Sequence, residues 1–353
     1  MEKYFEKEND FPIFEANQIK DKIVVSGGGG GQNFGVPDQV KILQGNSFET
    51  ICSVVTKSTI YEKTIVSEAN DWLIMVSENI ISLQSLSSSG KLTQLDVLEV
   101  PANNTGYILM AELIDDDLFV YDNVKTFYVY RIKGSKFHKT FESELGEKIL
   151  GFVPHPTPKK MIFVFAQRMN VFDLNDNKFV EVSYEFTQSL KKVFWFYSEE
   201  KDILVLVNST PDGSVAYFFR KSKVRSLSFD LITSQKFISK QITCLAYLEK
   251  TLTVSTVDGQ ILVYAFDSTA RLGKIYERSV HMLPARSLIL RRMPTTYDDA
   301  NKLMLISFGI DYKMVAHIIS KKEYTAAIDW VRIVQIIAVL ILLLAILIGA
   351  LKQ

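Results

Sequence analysis

The chain has 353 residues, and its 40 basic and 40 acidic side chains give a formal net charge of +0. The length suits two average domains or one large β architecture. The basic residues are dispersed, which excludes the basic patch of a nucleic-acid-binding protein. Two distant cysteines and four scattered histidines provide neither a disulfide framework nor a metal-ligand spacing. The N-terminal sequence MEKYFEKEND is acidic and lacks the apolar region of a signal peptide.

The first unusual element in the chain is a glycine-rich stretch between two apolar segments. Five consecutive glycines at residues 27–31 follow the apolar residues 23–25, and Gly35 comes shortly after them. Glycine at this density marks backbone that turns sharply or approaches a partner closely. Val36 and Pro37 then stiffen the exit. Neither the P-loop pattern nor the dinucleotide pattern G-x-G-x-x-G fits any register. We therefore predict a shaped recognition loop, with a low-complexity linker as the alternative.

A unit of two apolar strands joined by a small or polar turn recurs seven times along the chain. Successive units lie about 42 to 52 residues apart, which is typical of propeller blades. In two units Asp-Gly separates the strands, a strong hairpin signal. The sequence therefore predicts an all-β fold, a seven-bladed WD-type β-propeller at residues 12–320, with residues 1–11 as a separate N-terminal segment. No Trp-Asp dipeptide closes a unit, and two β-sandwich domains are the alternative.

The C-terminal stretch from Ile333 to Leu351 has 19 residues, no charge and one polar side chain, Gln335. A helix of this length spans about 28 Å, close to the hydrocarbon thickness of a bilayer. A core helix of comparable length rarely lacks a polar face. We therefore predict a single transmembrane helix at residues 333–351, after a juxtamembrane linker at 321–332.

Charge on the two sides of this span predicts its orientation. Lys321, Lys322 and Arg332 precede it, and only residues 352–353 follow it as a lumenal tail. The positive-inside rule then places the large N-terminal part in the cytosol. The lipid bilayer is thus an expected partner through the C-terminal helix, and the span is slightly short, which favours an internal membrane.

The first repeat resembles the opening of one protein family. The matching segments are residues 11–16 (FPIFEA), residues 22–30 (KIVVSGGGG), Asn33 and residues 35–38 (GVPD). They are similar to the endoplasmic-reticulum WD-repeat guanine-nucleotide exchange factors for the Sar small GTPase, which start COPII coat assembly. Members of that family are seven-bladed propellers with a C-terminal transmembrane helix. The likeness covers the whole architecture, and its specific motif is confined to residues 11–38.

The resemblance also implies roles for individual residues. In the family the glycine-rich loop projects from the first blade, is ordered around a potassium ion and inserts against the GTPase. The positions that match the segment acting on the nucleotide are Val36, Pro37 and Asp38. The positions that match the potassium-ordered part are Gly27, Gly28, Gly29, Gly30, Asn33 and Asp38. Asp38 stands where the family has asparagine, so it keeps an oxygen acceptor, adds negative charge and removes an amide donor.

The expected function is therefore a guanine-nucleotide exchange factor that activates a Sar-type small GTPase at the endoplasmic-reticulum membrane, with its propeller facing the cytosol. Such a factor is a regulator without covalent chemistry. It binds the nucleotide-free GTPase best and so lowers nucleotide affinity by linkage. A non-catalytic membrane-tethered scaffold is the alternative, because Asp38 departs from the family pattern. A propeller enzyme is least supported, because no histidine–carboxylate cluster or nucleophile motif stands out in the sequence.

Overall fold

A computed structural model gives the architecture of the chain. It describes residues 2–29, 36–56, 61–100, 107–225, 227–267, 270–293 and 302–320, together with residues 337, 338, 340 and 341. The described residues form seven antiparallel sheets of four strands each. The predicted seven-bladed all-β propeller is thereby confirmed.

The strands are numbered in chain order and grouped by blade. Strand β1 spans Glu2–Glu8. Blade 1 contains β2 (Ile13–Ile19), β3 (Lys22–Gly27), β4 (Gln39–Gln44) and β5 (Thr50–Val55). Blade 2 contains β6 (Lys63–Ser67), β7 (Trp72–Val76), β8 (Ile80–Leu86) and β9 (Leu92–Glu99). Blade 3 contains β10 (Ile108–Ile114), β11 (Asp117–Asp122), β12 (Thr126–Lys133) and β13 (Lys136–Glu144). Blade 4 contains β14 (Ile149–Pro154), β15 (Lys160–Phe165), β16 (Arg168–Asp173) and β17 (Lys178–Glu185).

The remaining three blades follow the same plan. Blade 5 contains β18 (Lys192–Ser198), β19 (Ile203–Thr210), β20 (Gly213–Lys221) and β21 (Phe229–Ile238), with a 3-10 turn at Glu199–Lys201. Blade 6 contains β22 (Ile242–Leu248), β23 (Thr251–Thr256), β24 (Gln260–Phe266) and β25 (Leu272–Ser279). Blade 7 contains β26 (Ala285–Arg292), β27 (Lys302–Gly309), β28 (Lys313–Ser320) and, as its outer strand, β1.

The core is divided among the spaces between neighbouring blades. A hydrophobic cluster fills each of these seven spaces. Strand β12 illustrates how one blade contributes to two clusters. Phe127 and Val129 pack towards blade 4, while Tyr128 and Tyr130 pack towards blade 2. Successive side chains of a strand point to opposite faces of its sheet. A blade buried on both faces therefore has apolar runs in its middle strands, which are the runs that revealed the repeat.

The first strands of the blades enclose the propeller axis. Strands β2, β6, β10, β14, β18, β22 and β26 contact one another in that order, and β26 contacts β2 to close the ring. The first strand of the chain also joins the last blade, because β1 pairs antiparallel with β28 at the outer edge of blade 7. The propeller consequently begins at residue 2 rather than at residue 12. Of the separate N-terminal segment expected at residues 1–11, residues 2–8 are instead the outer strand of blade 7, since the edge of β28 provides hydrogen-bond partners for them.

The predicted membrane span lies almost entirely outside the described residues, including its ends Ile333 and Leu351. Residues 337, 338, 340 and 341 are helical, and the side chains of Ile337, Leu340 and Ile341 are exposed. Within the part of the chain that the structure describes, no helix is long and apolar enough to span a bilayer.

A buried histidine in blade 7 predicts how stability depends on pH. The ring of His317 is 1% exposed, and among the described residues neither ring nitrogen has a hydrogen-bond partner. Burial, with the positive charge of Arg278 as a smaller cause, lowers the pKa of His317 to about 4. The unfolded chain takes up this proton below about pH 6.5. The stability linked to His317 is therefore complete above that pH and is lost as the pH falls towards 4.

Replacing His317 by leucine is expected to remove this loss. The slope of unfolding free energy against pH, from about 6.5 down to about 4.5, should fall by up to about 1.4 kcal/mol per pH unit. Urea unfolding at a series of pH values measures the slope. His138→Leu is the control, because His138 is exposed on β13. An unchanged slope in His317→Leu would contradict the assignment.

Candidate functional site: the glycine-rich loop and its face of the propeller

The register of blade 1 places the glycine-rich loop on one face of the propeller. Ile13, at the start of β2, pairs with Gly27, at the end of β3, and Gly27 pairs with Gln39. Because the strands are antiparallel, the hairpins between second and third strands lie at the same edge as the connections between blades. We call the face formed by these hairpins and connections the loop face.

Two glycines at the root of the loop are required by close approach of the backbone. A Cβ atom at Gly27 would lie 2.0 Å from the carbonyl oxygen of Pro12. Gly28 has φ +153°, and its Cβ would lie 2.2 Å from Asp38 Oδ1 and 2.6 Å from Asp38 Cα. A side chain at either position would overlap these atoms, so the start of the loop accepts only glycine.

The three residues expected to act on the nucleotide lie at the other side of this root. Asp38 is 1% exposed, and its carbonyl oxygen accepts a hydrogen bond of 2.8 Å from Thr56 N. Val36 is half-buried against the hydrophobic cluster between blades 7 and 1, and its carbonyl accepts from Gly29 N at 3.3 Å. Pro37, between them, is also half-buried. The structure thus makes Val36, Pro37 and Asp38 the base of the loop.

The positions expected to surround potassium are only partly described. Gly27, Gly28 and Gly29 lie at the loop root, where Gly28 is next to Asp38 and Gly29 is next to Val36, whereas Gly30 and Asn33 lie outside the described residues. The contact of the Asp38 carboxyl with Gly28 brings one charged oxygen donor next to loop backbone. Oxygen donors of this kind suit a hard cation. Among the described residues, no group of three or more histidine, cysteine, aspartate or glutamate side chains is arranged to hold a metal ion.

Exposed apolar side chains occupy the neighbouring part of the loop face. Met282 is 85% exposed, and a further three side chains join it on the hairpins and connections of blades 6 and 7. This apolar patch consists of Val257, Met282, Leu283 and Tyr312. Backbone hydrogen bonds link it to the loop, since Asn9 N donates to Tyr312 O at 2.7 Å and Gly28 N donates to Pro12 O at 3.2 Å. These four side chains are the exposed large apolar residues that the described hairpins and connections of blades 6 and 7 place on the loop face.

A histidine, an aspartate and a serine meet beneath the apolar patch. His281 Nδ1 lies 2.9 Å from Asp311 Oδ1, and Nε2 lies 2.8 Å from Ser307 Oγ. Burial lowers the pKa of His281, and Ser307 Oγ also donates to Val315 O at 3.2 Å, so the ring and both of its partners are held in place. The three side chains resemble a hydrolytic triad. They are buried, however, so substrate has no access to the serine.

The arrangement is structural because it fixes the connection that carries the apolar patch. Asp311 Oδ2 also accepts a 2.9 Å hydrogen bond from Met282 N. His281 lies on a blade connection, whereas Ser307 on β27 and Asp311 on the following hairpin come 26 and 30 residues later. That separation is why the sequence alone shows no histidine–carboxylate cluster.

Comparison with known proteins supports the fold. No protein-family model matches the sequence, and no curated protein matches it. Sqt1 from Saccharomyces cerevisiae has a solved structure with a TM-score of 0.66 at 8% identity, over 90% of this chain and 99% of that one. The β-propeller domain of Cps50 (Swd1) from Myceliophteria thermophila gives 0.66 at 9% identity, over 88% and 98%. At these identities the likeness shows the fold alone, a seven-bladed WD-repeat β-propeller.

Proposed function

We propose that this chain is a guanine-nucleotide exchange factor for a Sar-type small GTPase, with the glycine-rich loop as its acting element. The observation that carries the proposal is the root of the loop. Gly27 and Gly28 admit no side chain, Asp38 is buried against Gly28, and Gly29 N donates to Val36 O, so the two ends of the glycine-rich segment are held together at the edge of the first blade. The resemblance of residues 11–38 to the Sar exchange factors supplies the partner.

In the proposed mechanism the glycine-rich loop and the apolar patch have different roles. The apolar patch binds the surface of the GTPase, and the loop, directed by Val36 and Pro37, enters the nucleotide site. Since a GTPase holds its nucleotide through backbone amides and Mg²⁺, a segment that displaces these groups favours the nucleotide-free state. The exchange factor binds that state more tightly, and the affinity for nucleotide falls by the same factor.

Potassium binding at the loop belongs to the proposal. Asp38 would supply a charged oxygen beside the backbone of Gly28, and carbonyl oxygens of the loop would supply the rest. An ion held in this way would lower the conformational entropy that the loop loses when it enters the GTPase.

The membrane location belongs to the proposal too. Residues 333–351 would anchor the propeller to the endoplasmic-reticulum bilayer, with the loop face in the cytosol where COPII coats assemble. The exposed apolar side chains of Ile337, Leu340 and Ile341 support this, since large uncovered apolar side chains gain by burial in lipid.

Release of a fluorescent GDP analogue from a Sar-type GTPase tests the proposal, with the full-length chain in detergent or liposomes. The wild-type protein is expected to accelerate release. Met282→Asp should reduce the acceleration roughly tenfold or more, because it places a charge at the most exposed side chain of the apolar patch. Val224→Asp is the matched control, since Val224 is 91% exposed on the connection from β20 to β21, at the opposite face.

The outcomes separate the two candidate functions. Acceleration that is lost in Met282→Asp and kept in Val224→Asp supports the exchange factor. If the wild-type chain gives no acceleration with any Sar-type GTPase, the exchange factor is rejected in favour of the non-catalytic membrane-tethered scaffold.

A further inference from the structure

The chain leaves the propeller from the face opposite the loop face. On blade 7, Gly309 at the loop-face end of β27 pairs with Ala285, whereas Lys302 at the other end pairs with Ser320, the last residue of β28. Residues 321–332 therefore start at the opposite face and lead to the predicted membrane span. A segment of this length reaches at most about 40 Å when fully extended. Such a tether favours an orientation in which the opposite face is towards the bilayer.

The connection from β20 to β21 lies on the same face and exposes an apolar side chain. Lys221 pairs with Phe229 at this end of the two strands, whereas Ser214 pairs with Ile238 at the loop face. Val224, within the connection, is 91% exposed, the highest value of any large apolar side chain among the described residues. A side chain so fully in water has the most to gain by transfer into an apolar phase.

Hydrogen bonds hold this connection in place, so the exposure of Val224 is a feature of the fold. Ser222 N donates to Ser228 O at 2.8 Å, which closes the connection at its base. Lys221 Nζ donates to Thr157 Oγ1 at 3.0 Å, which joins the base to blade 4. The connection therefore presents Val224 to the solvent from a fixed base.

The connection is also basic, and its exposed cations lack carboxylate partners. Residues 220–229 (RKSKVRSLSF) contain four basic residues and no acidic one. Among the described residues, neither Lys223 nor Arg225 forms an ion pair, although Asp230 lines the same groove as Arg225. Exposed lysines on two neighbouring connections of this face do have carboxylate partners, namely Asp115 for Lys159 at 3.1 Å and Asp176 for Lys178 at 2.9 Å. Unpaired positive charge thus flanks Val224 on both sides.

We propose that this connection docks on the surface of an anionic bilayer, with Val224 among the lipid headgroups and Lys223 and Arg225 beside their negative charges. An exposed apolar side chain between basic ones gains from burial at the interface and from attraction to anionic lipids at the same time. The inference rests on the membrane anchor of the proposed function and adds an orientation to it. The opposite face lies on the membrane, and the glycine-rich loop and the apolar patch face the cytosol.

An NBD fluorophore at position 224 of the full-length chain in nanodiscs tests the docking. It is attached to Val224→Cys in a Cys52→Ser background, since the other cysteine, Cys244, is buried. In nanodiscs of phosphatidylcholine and phosphatidylserine the label should be at least about twofold brighter than in phosphatidylcholine alone, with emission at shorter wavelength. The same label at Met282→Cys, on the loop face, should emit equally in both.

Removal of the two charges tests the electrostatic part. Lys223→Gln combined with Arg225→Gln should abolish most of the brightening, because both cations that flank Val224 are lost. Lys125→Gln combined with Lys148→Gln is the matched control. It removes the same charge from exposed positions on the loop face and should keep the brightening.

The outcomes distinguish this inference from the exchange activity. A chain that does not co-elute with the nanodiscs rejects the anchor and the docking together. Co-elution without brightening at position 224, or brightening that the double variant of Lys223 and Arg225 retains, rejects the docking alone. Docking needs a bilayer, so nucleotide exchange measured in detergent should be the same for this double variant and wild type. Val224→Asp likewise remains a control for exchange in detergent.

Discussion

Replacing Gly28 by alanine is expected to lower the free energy of unfolding by about 2–4 kcal/mol and to abolish nucleotide exchange. The added Cβ would lie 2.6 Å from the Cα of Asp38, so a rotamer change cannot relieve the overlap. The backbone of the loop root must shift instead, and φ +153° is unfavourable for alanine. The two ends of the loop would then no longer be held in the described arrangement.

Alanine variants of two other glycines distinguish the steric overlap of the added Cβ from the backbone strain of a positive φ. Gly134 has φ +56° but no atom within 4 Å of its added Cβ, so Gly134→Ala should cost only the backbone strain, about 1 kcal/mol. Gly146 has an open surrounding and no positive φ, so Gly146→Ala should change stability by less than about 0.5 kcal/mol. Urea unfolding of the three variants measures how much each substitution lowers the free energy of unfolding. A Gly28→Ala protein as stable as Gly146→Ala would refute the described loop root.

Deleting residues 1–9 is expected to lower stability by at least about 3 kcal/mol and to cause self-association. Strand β1 pairs with β28 from Glu2 opposite Ile318 to Glu8 opposite Lys313. It also places Phe5 against Phe48, with the ring centroids 5.1 Å apart. The deletion therefore opens blade 7, removes an aromatic side chain from the cluster between blades 7 and 1, and leaves β28 as an unpaired edge.

Thermal unfolding and size-exclusion chromatography measure the two effects. Phe5→Ala isolates the packing from the pairing, and should lose part of the stability without self-association. Glu8→Gln, an exposed change on the same strand, should behave as wild type. If the truncated chain melts at the wild-type temperature as a single species, β1 does not close the ring.

The difference between the predicted and observed N-terminus has a simple physical reason. Residues 1–10 carry six charged side chains and only scattered apolar ones, as expected for the outermost strand of a blade. A strand that exposes most of its side chains to solvent has no apolar run, so its sequence indicates an acidic segment rather than a strand. Phe5, with charged residues on both sides of the short apolar pair that it forms with Tyr4, is too little apolar sequence to identify the partner strand.

The burial of Asp38 is a second feature that no local sequence pattern predicts. The sequence placed it at the end of a flexible loop and suggested a residue that reaches a partner. Its burial depends on Gly28, which lies ten residues earlier and across the hairpin. No local pattern reports such an approach of two strands, so only the structure distinguishes the base of the loop from its tip.

The sequence by itself determined the seven blades, because a fold that repeats radially must repeat its apolar strands and turns along the chain. It also determined that the first blade carries an unusual glycine-rich loop. Only the tertiary structure decided which residues come into contact: β1 completes blade 7, and Asp38 is buried against Gly28. These contacts depend on closure of the ring, which brings together residues that local patterns leave far apart.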